Sequence, residues 1–119
     1  MDKQIVDFVA EKTRALMDAP SCCQEAKAAA QAWLDAVGTA KEAEATAAYI
    51  AELERDIMPV DMLIQFAESE KGIQIFGSDR AKAIADHGRE LKAKGAVYCD
   101  CPACTAAAAI LEKKSLLIQ

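Results

Sequence analysis

The sequence predicts an all-α fold, a single-domain bundle of about six short helices over residues 1–119, and three observations carry that reading. Apolar residues recur at intervals of three and four, and no stretch alternates as a half-buried strand would. Capping residues, glycines and prolines fall at the ends of these periodic segments. Apolar residues make up 53% of the chain while aromatics are only 5%, so alanine supplies much of the apolar content and favours closely packed helices.

The first helix is expected from about Lys3 to Met17, with Ile5, Phe8, Val9, Lys12 and Leu16 on one stripe, and Ala19-Pro20 as its stop. Ser21 followed by Gln24 has capping-box spacing, which would put Cys22 and Cys23 at the first two positions of the second helix. Its inner face is Ala26, Ala29, Ala30, Trp33 and Val37, with Trp33 as the central core residue and Gly38 as the left-handed stop. Thr39 and Glu42 repeat the capping spacing ahead of a third helix through Ala43, Ala47, Ile50, Leu53 and Ile57, which Pro59 must end. A fourth helix starts at Pro59 or Val60, turns Met62, Leu63, Phe66 and Ala67 inward, and is interrupted at Gly72.

Ile73-Gln74-Ile75-Phe76 has strand composition but no partner strand, so it reads as a helical turn closed by Gly77. Ser78 is the expected cap of the fifth helix, whose inner residues are Ala81, Ile84, Ala85, Gly88 and Leu91, with Gly95 ending it. Proline is favoured at the first helical position, so Pro102 makes Cys101 the N-cap of the last helix and puts Cys104 in its first turn. That helix carries Ala106 to Ala109, Ile110 and Leu111 before the tail Ser115-Leu116-Leu117-Ile118-Gln119, whose apolar residues would pack on the bundle, on a second copy in a homodimer or on another protein.

A net charge of −5 and a pI near 4.9 would repel a phosphate backbone, so nucleic acid is not expected as a partner. No apolar run approaches the roughly 20 residues of a membrane span, and the start of the chain lacks a signal-peptide core, so a soluble, cytoplasmic protein is expected. There is no phosphate-binding glycine loop, no G-x-S-x-G and no H-E-x-x-H. Nucleotide and hydrolase chemistries therefore have no support in the sequence, and the reading leans to a binding protein more than to an enzyme, without a catalytic residue.

Five cysteines fall into two groups, Cys22-Cys23 and the run Cys99, Cys101, Cys104. In a reducing compartment an odd number of cysteines reads as metal ligands or redox thiols before structural disulfides. A thiol acts only as thiolate, and a helix N-terminus, where both groups are expected, favours that form. The C-x-C-x-x-C run can turn its sulfurs toward one ion at about 2.3 Å, and Cys22 or Cys23 can complete a tetrahedron. Side chains of consecutive helical residues diverge by about 100°, so one of that pair binds and the other does not. Zinc suits four sulfurs in a closed tetrahedron. A [4Fe-4S] cluster also fits four cysteinates. Thiol–disulfide exchange at Cys101-Pro102-Ala103-Cys104 is the alternative from another class, although a βαβ frame for it is missing.

His87, the single histidine, is expected as a partly exposed structural residue at the edge of the fifth helix's inner face. Glu42, Glu44, Glu52, Glu54, Asp56, Asp61, Glu68 and Glu70 read as solvated helix faces. Met58 and Met62, one turn apart, read as core packing before a copper(I) site.

Through Pro20-Ser21-Cys22-Cys23, Ala30-Gln31-Ala32-Trp33-Leu34-Asp35 and Tyr98-Cys99-Asp100-Cys101-Pro102-Ala103-Cys104, the chain resembles a set of small cysteine-containing helical proteins of anaerobic bacteria. Members of the set are sometimes labelled heat-shock chaperone-like, and the likeness runs over nearly the whole length. The resemblance implies a small helical protein and a source in which an oxygen-sensitive cluster would survive.

Overall fold

The computed structural model describes residues 2–118. Among them are eight helices and no strand: α1 (Lys3–Asp18), α2 (Gln24–Ala36), α3 (Glu42–Asp56), α4 (Val60–Glu68), α5 (Glu70–Phe76), α6 (Ser78–Ala93), α7 (Pro102–Leu111) and α8 (Lys114–Leu117). The all-α expectation holds, with two helices more than the six expected. No helix among the described residues is long and apolar enough to cross a membrane. The chain divides into two compact units, Met1–Ile57 with Cys101–Gln119, and Met58–Asp100.

In the first unit α1 packs on α7 and α2, and α3 packs on α2 and α7. Val9, Leu16, Ala26, Ala30, Trp33, Tyr49, Ile50, Leu53 and Ile110 form its buried centre. Two threonines that periodicity does not mark are fully buried there, Thr13 and Thr46. Each serves the polar atom of a large aromatic, as a buried hydroxyl or indole N–H requires. The Trp33 indole N–H donates to Thr46 Oγ1 at 2.9 Å, and that hydroxyl donates onward to the Glu42 carbonyl at 2.7 Å. The Tyr49 and Thr13 hydroxyls are 2.9 Å apart, and burial pushes the tyrosine's pKa up to about 12, so it stays neutral. The Lys12 ammonium lies 5.6 Å from the Phe8 ring, the snorkelling expected of a lysine on an apolar stripe.

In the second unit α4 packs on α6, and α5 packs on both. The extra helix boundary is at Ser69, whose extended backbone ends α4 and starts α5. Its hydroxyl donates to the Phe66 carbonyl at 2.5 Å and accepts from the Gly72 amide at 3.0 Å, serving both helix ends. Gly72 therefore lies inside α5 rather than breaking α4. It is glycine for a steric reason, since a Cβ there would run into the Phe66 carbonyl. Gly72→Ala should cost about 2 kcal/mol, because the obstacle is backbone and cannot rotate away. A urea melt measures this, and a wild-type midpoint would refute the close approach.

Other caps differ from expectation in similar ways. Lys41 is the N-cap of α3, while Thr39 Oγ1 donates to the Ala36 carbonyl at 2.6 Å and accepts from the Lys41 amide at 3.2 Å, bridging the preceding turn. Gly77, not Ser78, is the N-cap of α6, and its φ of 83° explains why a glycine stands there. At the C-terminal end, α8 buries Leu117 while Leu116 and Ile118 stay exposed. Met62 is also exposed, so it is not the core residue expected.

Candidate metal centre

Local chain chemistry positions each sulfur of the Cys99–Cys104 run. Cys101 is the N-cap of α7 and Pro102 its first residue, as the sequence predicts. The Cys101 sulfur accepts from the Cys104 amide at 3.4 Å, which turns it back over the helix start. Cys104 is buried in that first turn. Ahead of it, the Cys99 amide donates to the Met58 carbonyl at 2.8 Å, beside an antiparallel bridge of Pro59 with Tyr98. The His87 Nε2 lies 2.9 and 3.0 Å from the two carboxylate oxygens of Asp100. His87 is thus partly exposed, as expected, and attached to the residue between two of the cysteines.

The outcome is that the sulfurs of Cys99, Cys101 and Cys104 all lie within 4.8 Å of one another. In a tetrahedral centre with metal–sulfur bonds of about 2.3 Å, neighbouring sulfurs are about 3.8 Å apart. Small side-chain rotations therefore close the set around one ion, and the donor set fits a thiophilic metal.

Cys22 and Cys23 are placed differently from the capping-box expectation. α2 begins at Gln24 with Cys23 as its N-cap, and Cys22 closes a turn in which its amide donates to the Ala19 carbonyl at 3.1 Å. Ser21 does not cap α2. Its hydroxyl instead accepts from the Ala103 amide at 3.3 Å, satisfying a donor at the start of α7. That bond brings the two cysteine segments of the first unit together across 82 residues. Cys22, Cys23 and Cys104 line one cavity with Leu16, Leu53 and Asp56. The buried Cys22 thiol donates to the Cys23 carbonyl at 3.5 Å, whereas the exposed Cys23 faces Asp56.

The electrostatics of this pair oppose the thiolate stabilisation expected from a helix start. Burial pushes the Cys22 thiol above its ordinary pKa, with Lys27 pulling the other way. Burial also raises Cys23; the Ala26 amide offsets part of this and the Asp56 carboxylate adds to it. Both thiols are therefore protonated at neutral pH, and a metal must displace the proton of whichever it binds.

Asp56 is the residue that sequence reasoning missed. It follows Leu53 by three positions and precedes Ile57, so it shares the buried stripe of α3, which is the signal that could have found it. Burial raises its carboxyl to about 6, and the neighbouring Glu52 adds to the rise. Below about pH 3 this group is protonated whether folded or not. As pH rises toward 6 the unfolded chain loses the proton first, so stability falls through that window and the penalty is complete above it. Between pH 5 and 7.5, metal-free protein should lose roughly 0.5–1 kcal/mol through Asp56, after allowance for solvent screening. Asp56→Asn should flatten that part of the profile in urea melts at the two pH values. Identical slopes for variant and wild type would remove the assignment.

Fold and site define an all-helical protein with a three-cysteine cluster able to hold a metal ion. Comparison of the chain with protein-family models, with curated proteins and with solved structures gave no match. The class therefore rests on the residues and their geometry.

Proposed function

We propose that the protein binds zinc through Cys99, Cys101, Cys104 and Cys22, and that the ion has a structural or sensing role. The observation that carries this reading is the mutual approach of three sulfurs to within 4.8 Å in a run whose backbone is fixed by a helix cap and a bridge. Cys22 is favoured over Cys23 as the fourth ligand because it is buried on the cavity that Cys104 also lines, while Cys23 is exposed and faces a carboxylate. Four sulfurs in a closed set leave no exchangeable position, which suits a structural or sensing ion better than a catalytic one.

Elemental analysis with an absorption spectrum, on protein purified without oxygen, tests the reading. About one zinc per chain and no colour is the expected result. Brown colour near about 400 nm would replace zinc by an iron–sulfur cluster. Protein that takes up neither metal sinks the proposal.

One observation favours thiol–disulfide exchange as a second reading: the Cys101 sulfur accepts a helix-start amide, a setting that favours an attacking thiolate. A mass difference of two protons before and after reductant, in metal-free protein, would support it.

A further inference from the structure

In the proposed centre, two of the four sulfurs, those of Cys22 and Cys104, are buried at 8% and 9% relative exposure. Cys23 is the exposed thiol of the first unit's cysteines, and it stands on the wall of the cavity that those two buried residues also line. The cavity is about 80 Å³ and partly open. At about 10–15 Å³ per water it has room for a partly hydrated ion. Asp56 stands beside Cys23 on the same cavity, with Glu52 as its other neighbour, and its Oδ2 is buried without a hydrogen bond of regular geometry among the described residues. A carboxylate oxygen left in that condition is unfavourable and calls for an explanation in ligand binding or strain. A cation beside it would relieve that cost.

We propose that Cys23 and Asp56 form a loading port, a transient two-donor site where a thiophilic divalent cation sheds water before it passes to the resident cysteines. The proposal rests on the four-cysteine reading given above. One sulfur and one carboxylate hold such an ion less tightly than four sulfurs do, so the handover runs inward. At the port the cation displaces the Cys23 proton to solvent. In the handover the metal's bonds to the Cys23 sulfur, the Asp56 oxygen and its remaining waters break as bonds to the four resident sulfurs form; the proton leaving Cys22 is taken up by Cys23, and protons on the other resident thiols leave to solvent. The metal stays divalent throughout, and the Asp56 carboxylate is released unchanged.

A port and a ligand have different kinetic signatures. Removing a port raises the barrier in both directions, so loading and release slow by the same factor and the dissociation constant is unchanged. Removing a resident ligand changes the dissociation constant and the number of sulfurs on the metal. The test uses the full-length chain, with Co²⁺ as the probe, sulfur-to-cobalt absorption as the readout, and a chelator for extraction. Cys23→Ser and Asp56→Asn, near-isosteric changes at the N-cap of α2 and in the last turn of α3, should each slow loading and extraction about tenfold or more. The final spectrum, stoichiometry and affinity should match wild type. Wild-type rates in either variant overturn the port, as does an altered final spectrum in Cys23→Ser, which would make Cys23 a resident ligand. Wild-type protein that binds no Co²⁺ overturns the four-cysteine reading itself, so the two failures are distinguishable.

Discussion

Stripping the metal should lower the melting temperature by more than about 10 °C, which is the largest effect expected from any single change. In the proposed centre, an ion joining Cys22 to the Cys99–Cys104 run closes a loop of about 80 residues, and a covalent cross-link over that span stabilises by about 4.5 kcal/mol. For a chain of this length, each kcal/mol moves the midpoint by roughly 3–4 °C. Zinc-finger peptides gain about 10–16 kcal/mol from their ion, so the loop term is a floor. Cys101→Ser should melt like stripped wild type and be indifferent to chelator. Scanning calorimetry with and without chelator decides it. An unchanged midpoint after verified metal removal would exclude a structural ion.

The second large effect is expected at Trp33. Its side chain is 1% exposed, its ring centre lies 5.7 Å from that of Tyr49, and its N–H is bonded to Thr46. Trp33→Ala should cost about 3–5 kcal/mol, since the site is lined from two helices and cannot collapse fully. Trp33→Phe keeps most of the volume but removes the donor, and should cost about 1–2 kcal/mol. Thr46 would still donate to the Glu42 carbonyl, which is why the smaller loss is expected to stay modest. Denaturant unfolding of the three proteins measures both values. Equal stability of the Phe variant and wild type would show that the indole hydrogen bond contributes nothing.

What was legible in the sequence was local. The Cys101 cap with Pro102 behind it and the burial of Trp33 follow from rules that act within one or two turns. The all-helical character follows from periodicity in the same way. What was not legible depends on residues distant along the chain. Thr13 is polar and periodicity does not mark it as core, because its partner Tyr49 is 36 residues away. Ser21 looked like the cap of the helix that follows it, yet its hydroxyl is used at a helix start 82 residues on. Asp56 reads in the sequence as a solvated acid, although α3 turns it toward a cavity whose other walls come from α1, α2 and α7. For the cysteines, the spacing of the second group was informative, whereas the position of Cys22 relative to Cys23 was decided by a turn that no cap rule anticipated.

The segment Met58–Asp100 is inserted between the two stretches of chain that build the first unit. During synthesis the insert is complete before α7 leaves the ribosome, while α1 and α3 must wait for α7 as a packing partner. The N-terminal half of this chain therefore completes its packing only once α7 has been made, later than the insert.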